Sequence, residues 1–175
     1  MVKKAGRIRP AFSVDLIPAS KVVLIQMEIE YFEDIKLNQK KFLGEYLADK
    51  DEMIEYARKW DPQPFHIDEE AAKTYPYGGI TASSGYTLAI ITLLRATNEQ
   101  PRGAILGMLE YEKVKILKPV YPGDHLTVTS EPIEMRESGS NPDRGIVKAL
   151  VETRNQHDEV VLSYIIVAMI AKRPV

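Results

Sequence analysis

The sequence predicts an α+β fold in which a curved antiparallel sheet wraps around one long buried helix. Three observations carry this. The segment Ala82–Thr97 has the length of a helix, and within Tyr86–Leu94 only Thr87 and Thr92 are polar, so the helix belongs in an interior rather than on a surface. After Pro101 the chain turns to long strand-like runs, Gly107–Val120, His125–Ile133, Ile146–Arg154 and Val160–Ala171. These runs follow the helix as a block instead of alternating with it, which reads as a sheet packed on a helix and not as βαβ units.

Each element has its own local reason. Residues 1–30 read as an N-terminal extension, either a loose arm or a strand through Lys21–Ile29, ahead of a single domain over 31–175. Phe42–Ala48 fits a short strand. Asp49 and Glu52 have the spacing of a capping box, and Lys50–Trp60 follows as an amphipathic helix with Met53, Ile54, Ala57 and Trp60 at helical spacing. Pro62 and Pro64 disfavour the α conformation in Asp61 and Gln63, so Asp61–His66 is expected as a stiff loop. A short helix near Asp68–Tyr75 has Glu69 and Glu70 at its positive end and is broken by Pro76 and Gly78-Gly79.

In Gly107–Val120 the alternation slips phase. Leu109 and Tyr111 are apolar at odd positions, then Val114 and Ile116 at even ones, which predicts a β-bulge near Glu112–Lys113. Pro122-Gly123 marks a turn, Arg136–Gly145 a loop and Asn155–Glu159 a hairpin loop. Val147, Ala149, Val151 and Thr153 share one face, and Val160–Ala171 is apolar enough to be buried on both. A single sheet leaves edges and apolar surface to cover, so a homodimer or a higher assembly of dimers is expected.

Composition narrows the function. The formal charge of the 175 residues is −2, which argues against a nucleic-acid partner. With no cysteine there is no disulfide, thiolate nucleophile or cysteine zinc site. The three histidines, His66, His125 and His157, are too scattered for a metal site, and no phosphate loop or dinucleotide fingerprint appears, so no cofactor is expected. Lys3, Lys4, Arg7 and Arg9 are not followed by the apolar stretch of a signal peptide, and no run approaches the ~20 apolar residues of a membrane span. The expectation is a cytoplasmic protein without a membrane partner.

Two constellations could carry chemistry. His66 lies five residues from Asp61, with two prolines fixing the path between them. Adding water to an activated double bond needs one group to take a proton and one to deliver it, and a carboxylate and an imidazole can share that work. The same residues could instead merely end one helix and lead into the next. The second constellation is Gly78–Gly85, with Gly79, Ser83 and Ser84 at the mouth of the apolar helix, where free N–H groups and partial positive charge suit a thioester oxygen that becomes negative. Plain N-capping by serine is the alternative. Arg7, Arg9, Lys113, Lys115 and Lys118 could meet the phosphates of a carrier or form a solvated face.

At these residues the chain resembles the MaoC-like dehydratases, a family that includes the (R)-specific enoyl-CoA hydratases. The resemblance rests on Asp61-Pro-Gln-Pro-Phe-His66, on Ile67–Ala72 and on Gly78-Gly79-Ile80-Thr81-Ala82-Ser83, with Tyr31–Asp34 and Leu117–Asp124 as supporting segments. It implies a hotdog fold and reversible hydration of a 2-enoyl thioester, most simply an acyl-CoA. It further implies that Asp61 and His66 activate the water and that a backbone N–H at Ser83 or Ser84 polarises the thioester. Gln63-Pro64-Phe65 and Ala82-Ser83 depart from the family's usual Asn-Pro-aliphatic and His-Gly, and serine in place of glycine narrows the approach to the oxyanion position. Other readings of the same pattern are a hotdog thioesterase and a non-catalytic acyl-CoA-binding protein.

Overall fold

The computed structural model describes residues 28–98 and 101–174. In chain order these form β1 (Ile29–Glu30), a 3-10 turn (Phe32–Asp34), β2 (Lys41–Leu47), α1 (Lys50–Trp60), α2 (Pro64–Ile67), α3 (Glu69–Lys73) and α4 (Ser84–Asn98). Strands β3 (Arg102–Gly103), β4 (Ile105–Ile116), β5 (His125–Glu137), β6 (Arg144–Arg154) and β7 (Val160–Ala171) follow. Five strands make one antiparallel sheet in the order β2-β5-β6-β7-β4, and α4 packs along one face of it. This is the hotdog arrangement. The expected strand through Lys21–Ile29 lies almost wholly outside the described residues, but Ile29–Glu30 pairs in parallel with Arg102–Gly103.

The core is the interface of α4 with the inner face of the sheet. Tyr86, Ile90, Ile91 and Leu94 from the helix meet Leu43, Leu126, Val128, Val151, Leu162 and Tyr164 from the strands. Each fully buried Leu, Ile or Val among them contributes roughly 1.5–3 kcal/mol relative to exposure. The burial of α4 is one-sided in a single chain, since Ala89, Thr92, Leu93 and Ala96 on its far side are exposed. A second cluster, Phe32, Val147, Ala168 and Ile170, continues the core past the end of the helix. There Phe32 lies flat on the backbone of Gly145: a Cβ at residue 145 would sit 2.1 Å from its ring. Any side chain at that position therefore evicts the aromatic plug.

Local rules explain most boundaries. The Asp49 side chain accepts from the Glu52 N–H, but the reciprocal half of the capping box is missing because the Glu52 carboxylate turns to two tyrosines instead. The phase slip of β4 is real: the register shifts between Glu112 and Lys115, and Lys113 has φ +50°. Further shifts fall between Ile105 and Gly107 and between Met108 and Glu110. Bulges increase local twist and bend the strand, which is how the sheet curls.

Two expectations need correction. Asp61–His66 is not a loop throughout, because Pro64 opens a helical turn, α2, and His66 lies inside it. Proline is suited to that first helical position, its absent N–H being one that a helix start leaves unpaired anyway. The expected loop at Arg136–Gly145 is shorter at both ends, since β5 runs to Glu137 and β6 begins at Arg144.

Candidate active site

Asp61 caps the C-terminus of α1, with its N–H donating to the Ala57 carbonyl at 2.8 Å. Its backbone (φ −153°, ψ 68°) has left the helix, as a residue before proline must. Gln63 is extended, Pro64 starts α2, and the His66 N–H closes back on the Gln63 carbonyl at 2.9 Å. This path brings the imidazole under the carboxylate. His66 is buried, and its Nε2 lies 3.5 Å from Asp61 Oδ2. Its Nδ1 is 2.6 Å from the Thr81 carbonyl oxygen. A carbonyl can only accept, so Nδ1 carries a proton, which leaves Nε2 as the ring nitrogen that faces Asp61. The Phe65 ring packs edge-on against the imidazole at 4.3 Å between centroids and fixes its plane.

The segment that holds His66 also starts α4. Ala82 N–H donates to the Val120 carbonyl, pinning this stretch to the chain between β4 and β5. Ser83 is the N-cap: its carbonyl accepts from Tyr86 and Thr87, and its Oγ accepts from Gly85 N–H at 3.3 Å. The same hydroxyl donates to Asp61 Oδ2 at 2.7 Å. Ser83 therefore joins the carboxylate to the helix start, a side-chain role that the sequence reading did not assign to it. With Gly85, Tyr86 and Thr87 satisfied, the Ser84 N–H is the first-turn donor without an acceptor among the described residues.

These groups open on a cleft of about 230 Å³. Asp61, His66, Ser84 and Thr87 form its polar side, and Phe65, Tyr77, Ile116, Leu117, Pro119, Val161 and Leu162 its apolar wall. Of the sequence candidates, Asp61, His66, Ser83 and Ser84 are brought together. Gly79 is not part of the lining, and a Cβ there would meet nothing within 4 Å, so its smallness opens no space for a ligand. Lys118, at the rim, is paired with Glu159 at 3.2 Å. Arg7 and Arg9 lie outside the described residues. His125 and His157 are exposed and away from the cleft.

Thr87 and the Thr81 carbonyl were missed. Thr87 left a signal, since it is a polar residue in an apolar helix at i+3 from Ser84 and so on the same face. The Thr81 carbonyl left none, because any residue type supplies that atom.

Comparison with known proteins bears on the whole of this arrangement. Residues 22–155 match the family model described as "MaoC like domain". A crystal structure of a MaoC-like dehydratase from Rhodospirillum rubrum superposes with a TM-score of 0.77 at 32% identity, covering 83% of this chain and 99% of that one. The uncharacterised Bacillus subtilis protein YdeM is 33% identical over 109 residues, 62% of this chain and 76% of its own length. A mesaconyl-CoA hydratase from Cereibacter sphaeroides is 42% identical over 65 residues, 37% of this chain but only 19% of that enzyme.

Proposed function

The chain belongs to the MaoC-like dehydratase family, and from that premise we propose that it adds water reversibly to the double bond of a 2-enoyl thioester, with acyl-CoA as the carrier. The observation that carries the proposal is the carboxylate and imidazole that face each other at the cleft. Asp61 Oδ2 and His66 Nε2 are 3.5 Å apart, too far for a good direct hydrogen bond and close enough for one water to lie against both. Such a water presents its own lone pairs to whatever lies against the apolar wall.

In the forward direction the water oxygen bonds to C3 as Asp61 takes its proton, and His66 orients the water and assists that transfer. The π electrons of the C2–C3 bond move toward the thioester, whose oxygen gains negative charge. The Ser84 N–H, at the positive end of the 15-residue α4, stabilises that charge. The enolate then collapses as the proton that Asp61 took from the water is delivered to C2. Ser83 holds the Asp61 oxygen it bonds and keeps the carboxylate in place. The relative named for mesaconyl-CoA hydration supports a CoA thioester as substrate.

The working unit in this proposal is a homodimer. Edge strand β4 is exposed along nearly its whole length and carries Leu106, Met108, Leu109, Tyr111, Val114 and Ile116 at the surface. A long apolar edge of this kind calls for a second chain. Because Ile116 and Leu117 also wall the cleft, the partner would border the acyl site.

A panel of enoyl-CoA substrates, followed by the absorbance of the conjugated thioester, tests the proposal. Loss of that absorbance without release of free thiol is the expected result. Thiol release at the same rate would mean a thioesterase. Stabilisation by acyl-CoA with no turnover across the panel would mean a binding protein.

A further inference from the structure

We propose that the small cavity beneath the last turn of α4 binds a carboxylate of formate or acetate size, anchored by Arg95. The cavity measures about 60 Å³ and lies where the two core clusters meet, between Ile166 and Ala149 on one side and Val147, Ala168 and Ile170 on the other. It is separate from the cleft of Asp61 and His66, and the proposal does not depend on the hydratase reading.

Arg95 is the reason this cavity is more than a packing gap. Among the described residues its buried Nε and Nη2 have no hydrogen-bond partner, and Arg95 enters no ion pair. A guanidinium cannot shed its charge as a lysine or histidine can, so burying one edge of it unpaired is unfavourable and calls for an anion. The charges on the cavity wall show what is lacking. Lys41 and Glu30 line it too, but they form an ion pair with each other. The described wall thus carries two cations and one carboxylate, and the charge of Arg95 is the one left over. The charge of Arg95 is also felt at buried Tyr164, where it opposes the effect of burial, which pushes the phenol up to about 12.

Geometry and volume select the ligand. Nε and Nη2 are the adjacent pair on one edge of the guanidinium, and their N–H bonds run parallel, the arrangement that takes both oxygens of a carboxylate. On the same measure a water needs about 10–15 Å³, so the cavity holds roughly four to six heavy atoms. That admits formate, acetate or bicarbonate, and the single unpaired charge of Arg95 matches a monoanion better than a phosphoryl dianion. Buried Ser130 on the wall can donate a further hydrogen bond, and Ile166 and Ala168 suit a methyl group better than a second polar end.

The test is thermal unfolding of the full chain in acetate, against chloride at equal ionic strength, for wild type and Arg95→Met. Acetate should raise the wild-type midpoint and saturate at millimolar concentration, as linkage requires for a ligand bound only by the folded state. It should leave Arg95→Met unmoved. Formate should act like acetate and octanoate should not, which separates a free small carboxylate from the end of a longer acyl chain. In wild type, the Nε–H resonance of Arg95 should move as acetate is added, a readout that holds even if the variant does not fold. Equal midpoint shifts in both proteins, or none beyond chloride, would overturn the site. So would an Arg95 resonance that ignores acetate but responds to Glu30→Gln, because Arg95 would then be using the wall's own carboxylate.

Discussion

Helix α1 carries two carboxylates that take hydroxyl hydrogen bonds beside the start of α4, one near each of its ends. Glu52 accepts from Tyr46 Oη at 2.8 and 2.9 Å and from Tyr86 Oη at 2.8 Å. Asp61 accepts from Ser83 Oγ at 2.7 Å. The two look alike as hydrogen-bond acceptors, yet only Asp61 has an imidazole beside it, a free helix amide nearby and an apolar wall opposite. Glu52 lines a groove of about 420 Å³ with tyrosines and no imidazole. Its bonds tie α1 and β2 to α4 and so brace the frame that Asp61 works from. What makes a carboxylate reactive here is therefore not that it is hydrogen-bonded but what else is within reach.

The largest expected difference between the two is in turnover. Asp61→Asn and His66→Gln should each lower kcat by about 10²–10⁴-fold with little change in melting temperature. The double variant should lose far less than the product of the single losses, since the pair acts on one water. A folded single variant that hydrates a good enoyl-CoA at near wild-type rate would erase the distinction from Glu52.

Next in size is the helix amide. Ser84→Pro deletes the proposed donor at a helix position where proline is tolerated, so the chain should fold and kcat should fall about 10²–10³-fold. Ser83→Ala tests the bond to Asp61. Turnover should drop on the order of tenfold, as expected for a hydrogen bond to a charged group, and loss of the cap should cost about 1 kcal/mol of stability. Wild-type kinetics in Ser83→Ala would return Ser83 to a purely backbone role.

For Glu52 the expectation is reversed. Tyr86→Phe should lower stability by about 1.5–3 kcal/mol in denaturant unfolding, the range for a hydrogen bond to a charged group, and Glu52→Leu, which unpairs two tyrosines, by more, with kcat on a saturating substrate nearly unchanged. A kcat loss as large as that of Asp61→Asn would show that the brace is part of the chemistry.

The smallest effect is at high pH. Burial and the Glu52 hydrogen bond push the Tyr46 phenol up to about 12, and the same causes push Tyr86 up as well. A folded value above the ordinary tyrosine value of about 10 means that this contribution to stability is complete below about pH 10 and is lost as pH rises through about 12. Tyrosinate absorbance should reveal this late titration. Glu52→Leu should lower it for Tyr46 while leaving Tyr164, which is raised by burial, unchanged.

Much was legible before any coordinates, because it depends on neighbours in the chain. Helix α1 begins after Asp49 and stops at Pro62, β4 slips phase at Glu112–Lys113, and β7 spans Val160–Ala171, all written in spacing, caps and prolines. Asp61, His66, Ser83 and Ser84 were nameable from residue type and order alone. What only the tertiary structure decided are the contacts between distant segments. The Thr81 carbonyl sets which nitrogen of His66 is free, Ser83 reaches back to Asp61 across 22 positions, and Glu52 abandons its capping partner for Tyr46 and Tyr86. Arg95 reads in the sequence as an ordinary basic residue in the last turn of a helix, suited to its dipole. Only the packing of α4 on the sheet buries the Nε and Nη2 edge of its guanidinium beside an ion pair already complete. A hydrogen bond or a desolvated charge depends on where two segments meet, and local patterns do not encode that meeting point.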